Sequence, residues 1–209
     1  MNGWIVKICI GICCLTAINA AYAQHGEAPT VGAQVFIEPG QQAEEIQHWF
    51  TILQSHGMQV CRIRMFESYM RNDKGEWDFT LFDYAFEAAE ANGIKVYATL
   101  FPATPFTDIG GFKFPRDQAH LQSVSEYISA VTRHFSKYSS LYAWVLINEI
   151  GSGKVPGTPL SQQHFNTWKE KNPQKQYNAI GYPVMSFEEE KFLMDHNTWY
   201  LLWLASEVK

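Results

Sequence analysis

LYAWVLINE, residues 141–149, is an apolar run that ends on an amide and a carboxylate. Its length and bulky side chains read as a buried strand over 141–148, with Asn148 and Glu149 at the strand's mouth. Three similar runs precede it: residues 31–37 (VGAQVFI), 59–66 (QVCRIRMF) and Lys95–Phe101 (KVYATLF). Helical spacing fills the gaps between them. Ile46, Trp49, Phe50 and Leu53 share one helix face, and Gly57 closes that helix. Phe82, Ala85, Phe86 and Ala89 line a second helix, capped by Asp78 or Thr80 and ended by Gly93. A loop through Pro102, Pro105, Gly110, Gly111 and Pro115 leads to a third helix on Leu121, Val124, Ile128, Val131 and Phe135.

Strands alternating with helices, each strand apolar on both faces, belong to a parallel sheet covered by helices. Two architectures fit, an eight-stranded (β/α) barrel and an open doubly wound sheet. No G-x-G-x-x-G or G-x-x-x-x-G-K follows the first strand, which removes the main nucleotide-binding signal. In a barrel, chemistry gathers at the C-terminal strand ends. Those ends hold Glu38, Arg62 to Glu67, Phe101 to Phe106, and Asn148 with Glu149.

The remaining composition narrows the function. The chain has 209 residues, 46% hydrophobic and 18% charged, with a net charge of -5. It is globular in class, and it carries no basic stripe for nucleic-acid phosphates. Fourteen Phe, ten Tyr and seven Trp suit either stacking on sugars or filling a large core. At the N-terminus, Lys7 precedes an apolar run over 8–18, and Ala21-Tyr22-Ala23 offers small residues at the two positions a signal peptidase reads. Residues 1–23 are therefore expected to be a signal peptide, too short in its apolar run to span a bilayer. The expected location is the periplasm or the exterior. Cleavage after Ala23 removes Cys9, Cys13 and Cys14 and leaves Cys61 alone, so neither a disulfide nor a cysteine-based metal site is expected. No cofactor is implied.

An amide beside a carboxyl at a barrel mouth suits glycoside hydrolysis. The protonated carboxyl donates to the leaving glycosidic oxygen, and the amide hydrogen-bonds the sugar 2-hydroxyl. Such an acid needs burial or a nearby negative charge to keep its proton. The alternative reading of Glu149 is a strand-end acid that caps the next helix or pairs with Lys154.

Several pieces, in order, resemble glycoside hydrolase family 42, the β-galactosidases of clan A. They are Gly32-Ala33-Gln34, Val60-Cys61-Arg62-Ile63 with Phe66, Trp77-Asp78-Phe79 with Asp83, and Asn92-Gly93-Ile94-Lys95-Val96. Ala103-Thr104-Pro105 and Trp144 through Asn148-Glu149 complete the series. The resemblance implies a retaining mechanism with Glu149 as acid/base, Asn148 on the 2-hydroxyl and Arg62 orienting the nucleophile. Phe66 and Glu38 join these as substrate-binding candidates, and an oligo- or polysaccharide is the implied substrate.

The chain also departs from that family. Arg64-Met65 stands where Gly-Glu is usual, so a sugar-side carboxylate is missing. Glu67 reads as a solvated strand-end acid, with replacement of that carboxylate as its alternative. No cysteine occurs over 151–163, so the zinc cluster of many relatives is not expected. His48, His56, His120, His134, His164 and His196 show no paired ligand spacing and read as surface or capping residues. After Gly151 a short helix is expected near 165–171, then a long one over 187–208 on which Glu188, Glu189, Glu190 and Glu207 form a solvated face. Residues 24–209 thus read as a partial barrel: four βα units plus a C-terminal helix, against about 250 residues for a complete one. The seventh-strand nucleophile has no counterpart, so the chain alone is expected to be inactive. A non-catalytic carbohydrate-binding half barrel, or another clan A hydrolase such as a mannanase, agarase or cellulase, are the alternatives.

Overall fold

A computed structural model describes residues 29–72, 74–103, 114–150, 155–172 and 187–209. The chain divides into two units, 1–30 and 31–209, and every element below belongs to the second. The expected signal peptide over 1–23 lies outside the described residues, as do 104–113 of the proline- and glycine-rich loop.

Four strands form one parallel sheet: β1 (Gly32–Val35), β2 (Val60–Phe66), β3 (Lys95–Phe101) and β4 (Leu141–Val145). Their order in space is their order in sequence, with no reversal. A doubly wound sheet reverses direction at a switch point. The consecutive order removes that alternative and leaves the barrel type.

The strand predictions hold for β3 at both ends and overrun elsewhere. β1 and β4 stop at Val35 and Val145, because the residues beyond leave the ladder toward the mouth. Between them run helices α1 (Ala43–Ser55), α2 (Thr80–Ala91) and α3 (Gln118–Phe135). Glu44 and Glu45 in the first turn of α1 favour its positive N-terminal end. Gly57, just past that helix, has φ 71, a conformation that glycine adopts without strain. For α2 the cap differs from expectation. Phe79 occupies the cap position, and Asp78 accepts a hydrogen bond from the Thr80 amide at 3.0 Å. Asp117 caps α3 by accepting from the His120 amide at 2.8 Å.

One face of the sheet is apolar and the other is not. Cys61, Ile63 and Met65 of β2 and Val96, Ala98 and Leu100 of β3 join Ile46, Phe50, Phe82, Phe86, Val124, Ile128 and Phe135 in a single core. Each large side chain removed from water there contributes about 1.5–3 kcal/mol. The alternate positions carry Gln34, Arg62, Arg64, Tyr97 and Thr99. The expectation of strands apolar on both faces is therefore corrected. Helices cover only the outer face, and the inner face of this barrel segment is polar.

A register shift opposite Val96 and Tyr97 leaves Tyr142 outside the ladder, and Trp144 pairs with Ala98. Among the described residues nothing pairs with the outer edge of β1 or of β4. Large apolar side chains stand exposed near both edges: Val31, Phe36 and Trp49 by β1, and Tyr142 on β4.

Helices α4 (Pro159–Lys171) and α5 (Phe187–Glu207) complete the fold. Thr158 caps α4, and Trp168 Nε1 donates to Asp195 of α5 at 2.8 Å. Tyr200 and Leu204 of α5 enter the core. The expected solvated glutamate face holds for Glu190, which is exposed. It fails for Glu207, half-buried and accepting from the Ser125 hydroxyl of α3, because that end of α5 packs against α3.

At Gly32, β1 lies close against Val60 of β2. A Cβ there would lie 2.3 Å from both the carbonyl oxygen and Cγ2 of Val60. The oxygen belongs to a paired strand and cannot move aside. Gly32→Ala is expected to destabilise the chain by roughly 1–3 kcal/mol, read as a lower urea midpoint. An unchanged midpoint would show that β1 does not sit this close to β2.

Candidate active site

The inner face is organised by Arg62. Its Nε donates to Thr99 Oγ1 of β3 at 2.8 Å, Nη1 to Gln34 Oε1 of β1 at 3.3 Å, and Nη2 to Asn148 Oδ1 beyond β4 at 2.6 Å. A planar guanidinium presents donors in a rigid fork, which is why one side chain can reach three other segments of the sheet at once. All three acceptors are neutral, so the network engages three of the five Arg62 N–H donors without pairing its charge.

Asn148 is thereby held with its oxygen committed to Arg62, leaving its amide NH2 group as the donor end. Glu149 follows with φ 52 and an exposed side chain, so the burial expected of an acid that keeps its proton is not supplied by the described residues. It is the single non-glycine residue with positive φ among those described. That backbone conformation costs about 1–2 kcal/mol for an L-residue, and such strain clusters at functional sites.

A second group of residues lies where β2 ends. Phe66 is buried, its ring 4.6 Å from Phe101 and 4.9 Å from Tyr69. Tyr69 in turn donates its hydroxyl to Glu38 Oε2 at 2.9 Å. Glu38 and Phe66, both expected at the site, are thus linked through a residue that the sequence did not single out. Tyr127 of α3 supports the same strand ends. Its hydroxyl donates to the Met65 carbonyl and accepts from the Phe101 amide.

Glu67 is not the solvated acid expected from its position. It is 1% exposed. Oε2 accepts from the Ala103 amide at 2.7 Å, and Oε1 faces Arg71 at 3.4 Å. Arg71 is itself stacked 3.6 Å over the Trp77 ring. Burial pushes the Glu67 carboxyl up to about 7, against the smaller opposing pull of the Ala103 N–H and Arg71. The short helical turn after β2 folds this carboxyl inward instead of leaving it at the rim.

Arg64 lies two residues beyond Arg62 on the same face. Its guanidinium carbon sits 4.9 Å over the Phe36 ring and 5.8 Å over the Phe101 ring. Its Nε is buried without a hydrogen-bond partner.

The histidines divide. His56 stays at the surface. His120 is buried with its Nδ1 accepting from the Arg116 amide, a capping role. His196 corrects the surface reading. It is 4% exposed, stacked between Phe192 and Trp199, and burial lowers its pKa to about 4. Among the described residues no group of three or more His, Cys, Asp or Glu could hold a metal, and no helix is long and apolar enough to cross a membrane.

No family model and no curated protein matches the sequence. Solved structures do match. The chain is similar to a β-galactosidase from the psychrophilic Marinomonas ef1, at 10% identity over 86% of this chain and 35% of that one, TM-score 0.56. It is likewise similar to a β-galactosidase from the Antarctic haloarchaeon Halorubrum lacusprofundi, at 13% identity over 86% and 34%, TM-score 0.55. An endo-β-1,4-mannanase from Thermotoga petrophila aligns at 18% identity over 76% and 45%, TM-score 0.49. The two β-galactosidase likenesses show the fold: the parallel sheet with alternating helices is part of a (β/α)8 barrel. The chain spans about a third of the length of either β-galactosidase.

Glu67 gives this site a pH signature. Its folded pKa of about 7 exceeds the ordinary 4.5, so the folded chain binds a proton that the unfolded chain releases. Stability contributed by the neutral carboxyl is full below pH 4.5 and is lost as pH rises toward 7. Glu67→Gln keeps an oxygen for the Ala103 N–H and cannot ionise. Urea midpoints measured from pH 4.5 to 8 are expected to fall more steeply for the wild type than for the variant; parallel curves would refute the assignment.

Proposed function

We propose that residues 24–209 form the acid/base half of a retaining glycoside hydrolase of family 42 type, acting on terminal β-galactosides or related glycosides. The supporting observation is the 2.6 Å hydrogen bond from Arg62 to Asn148. It ties the inner face of β2 to the residue that precedes Glu149.

In this reading the Glu149 carboxyl gives its proton to the glycosidic oxygen as the bond to the anomeric carbon breaks. A carboxylate on a strand outside the four described here takes the anomeric carbon, ~5–5.5 Å from Glu149 in retaining enzymes. Glu149, now ionised, then takes a proton from the water that releases the sugar. The Asn148 amide, its oxygen anchored on Arg62, has its NH2 group free for the 2-hydroxyl as positive charge develops on the ring. Phe66 and Glu38 help to shape the sugar pocket. Residues 1–23 direct the protein to the periplasm or the exterior, where oligo- or polysaccharide substrates are met. The chain alone binds sugar and does not turn it over.

The expected result for this chain is galactose binding by calorimetry, weakened by Asn148→Ala, with no hydrolysis of a nitrophenyl β-galactoside at any pH. In a form of the protein that carries the nucleophile strand, Glu149→Gln is expected to lower kcat on an alkyl β-galactoside about 10²–10⁴-fold. The loss should be much smaller with a nitrophenyl leaving group, which departs without a proton. Equal activity of wild type and variant on the alkyl substrate would refute the acid/base role.

A further inference from the structure

The inner face of β2 carries two guanidinium groups two residues apart, a spacing of about 6.6 Å along a strand. Arg62 is hydrogen-bonded only to neutral oxygens. Arg64 makes no hydrogen bond or ion pair among the described residues; its contacts are the Phe36 and Phe101 rings. The acids nearest in sequence are engaged elsewhere, Glu38 by the Tyr69 hydroxyl and Glu67 by Ala103 and Arg71. Among the described residues no carboxylate is hydrogen-bonded or ion-paired to either guanidinium.

A half-buried arginine is costly to hold without a partner. Aromatic rings against its flat faces offset part of that cost. They leave the N–H edge, which lies in the guanidinium plane and matches two oxygens of a carboxylate or sulfate. Phe36 is 52% exposed, and Arg64 is half-buried with its Nε shut off from solvent, so its terminal Nη groups are the donors left to a ligand. A glycine at position 64, usual in the family that this chain resembles, would offer no such group.

We propose that Arg64 makes this cleft selective for an anionic saccharide, a sugar ring carrying a carboxylate or a sulfate ester. The inference rests on the inner face being a saccharide site and adds the charge of the sugar. The anionic substituent pairs with the Arg64 edge, while the ring lies toward Asn148 and the aromatic side chains. Two like charges on one strand face raise the local positive potential and draw such a ligand in.

The test is calorimetry on the purified chain with D-galactose, D-galacturonate, the methyl ester of galacturonate and D-galactose 6-sulfate. At least one anionic sugar is expected to bind about tenfold or more tighter than galactose, as charge-assisted hydrogen bonds would give. The uncharged ester should bind like galactose. Comparing the carboxylate with the sulfate identifies the group preferred. Arg64→Met should abolish the preference, Arg64→Lys should keep part of it, and raising NaCl from about 50 to 500 mM should weaken it. If Arg64→Met does not fold, the ester comparison and the salt dependence decide. Galactose binding with no preference for either anion, or a preference that survives Arg64→Met, overturns the inference and leaves the saccharide site standing. Binding of none of the four sugars overturns both.

Discussion

Among the described residues, the guanidinium of Arg62 is the inner-face group that joins β1, β2 and β3 to the segment beyond β4. Its three donors reach Gln34, Thr99 and Asn148, at sequence separations of 28, 37 and 86 residues. Backbone ladders fix the spacing of neighbouring strands, and they say nothing about the path of the chain after β4 ends. The bond to Asn148 settles that path by bringing residue 148 back over the inner face. Hydrogen bonds to a charged group are worth about 1.5–3 kcal/mol each. The partly solvated setting reduces that figure, yet the geometric restraint remains. The junction fixes Asn148, and Glu149 with its positive φ follows directly after it.

The two faces of the sheet serve different ends. The outer face is closed by α1, α2 and α3 and supplies the hydrophobic core. The inner face holds Gln34, Arg62, Arg64, Tyr97 and Thr99, polar groups that would be costly under a helix layer and suit a solvent-filled cleft. The same division accounts for the exposed Phe36 and Tyr142 near the free edges.

Element type and order were legible because they rest on local periodicity. Ile46, Phe50 and Leu53 are the buried residues of α1, whereas Trp49, expected on the same face, is 44% exposed, and β3 has the boundaries its apolar run gives. The candidate site was legible in part. Arg62 and Asn148 stood out and proved to be in contact. Gln34 appeared only within a motif, and Thr99 only as one letter of an apolar strand. A check of alternate positions along β1 and β3 would have marked both as polar residues on the face opposite the core. Glu67, Tyr69 and Arg71 carried no such signal, because the turn that folds the Glu67 carboxyl inward has no period.

The sequence by itself determined four strands, the helices between them and an amide–carboxyl pair just past the fourth strand. Hydrophobic spacing reports which residues leave water, and that is decided within a few turns of chain. Only the tertiary structure decided the consecutive strand order, the polarity of the inner face, the turn of Trp144 toward Ala98 and the burial of Glu67. Each of these depends on register between segments distant in sequence. A shift of one residue exchanges the faces of a strand, and no local pattern in a single segment records its partner's register.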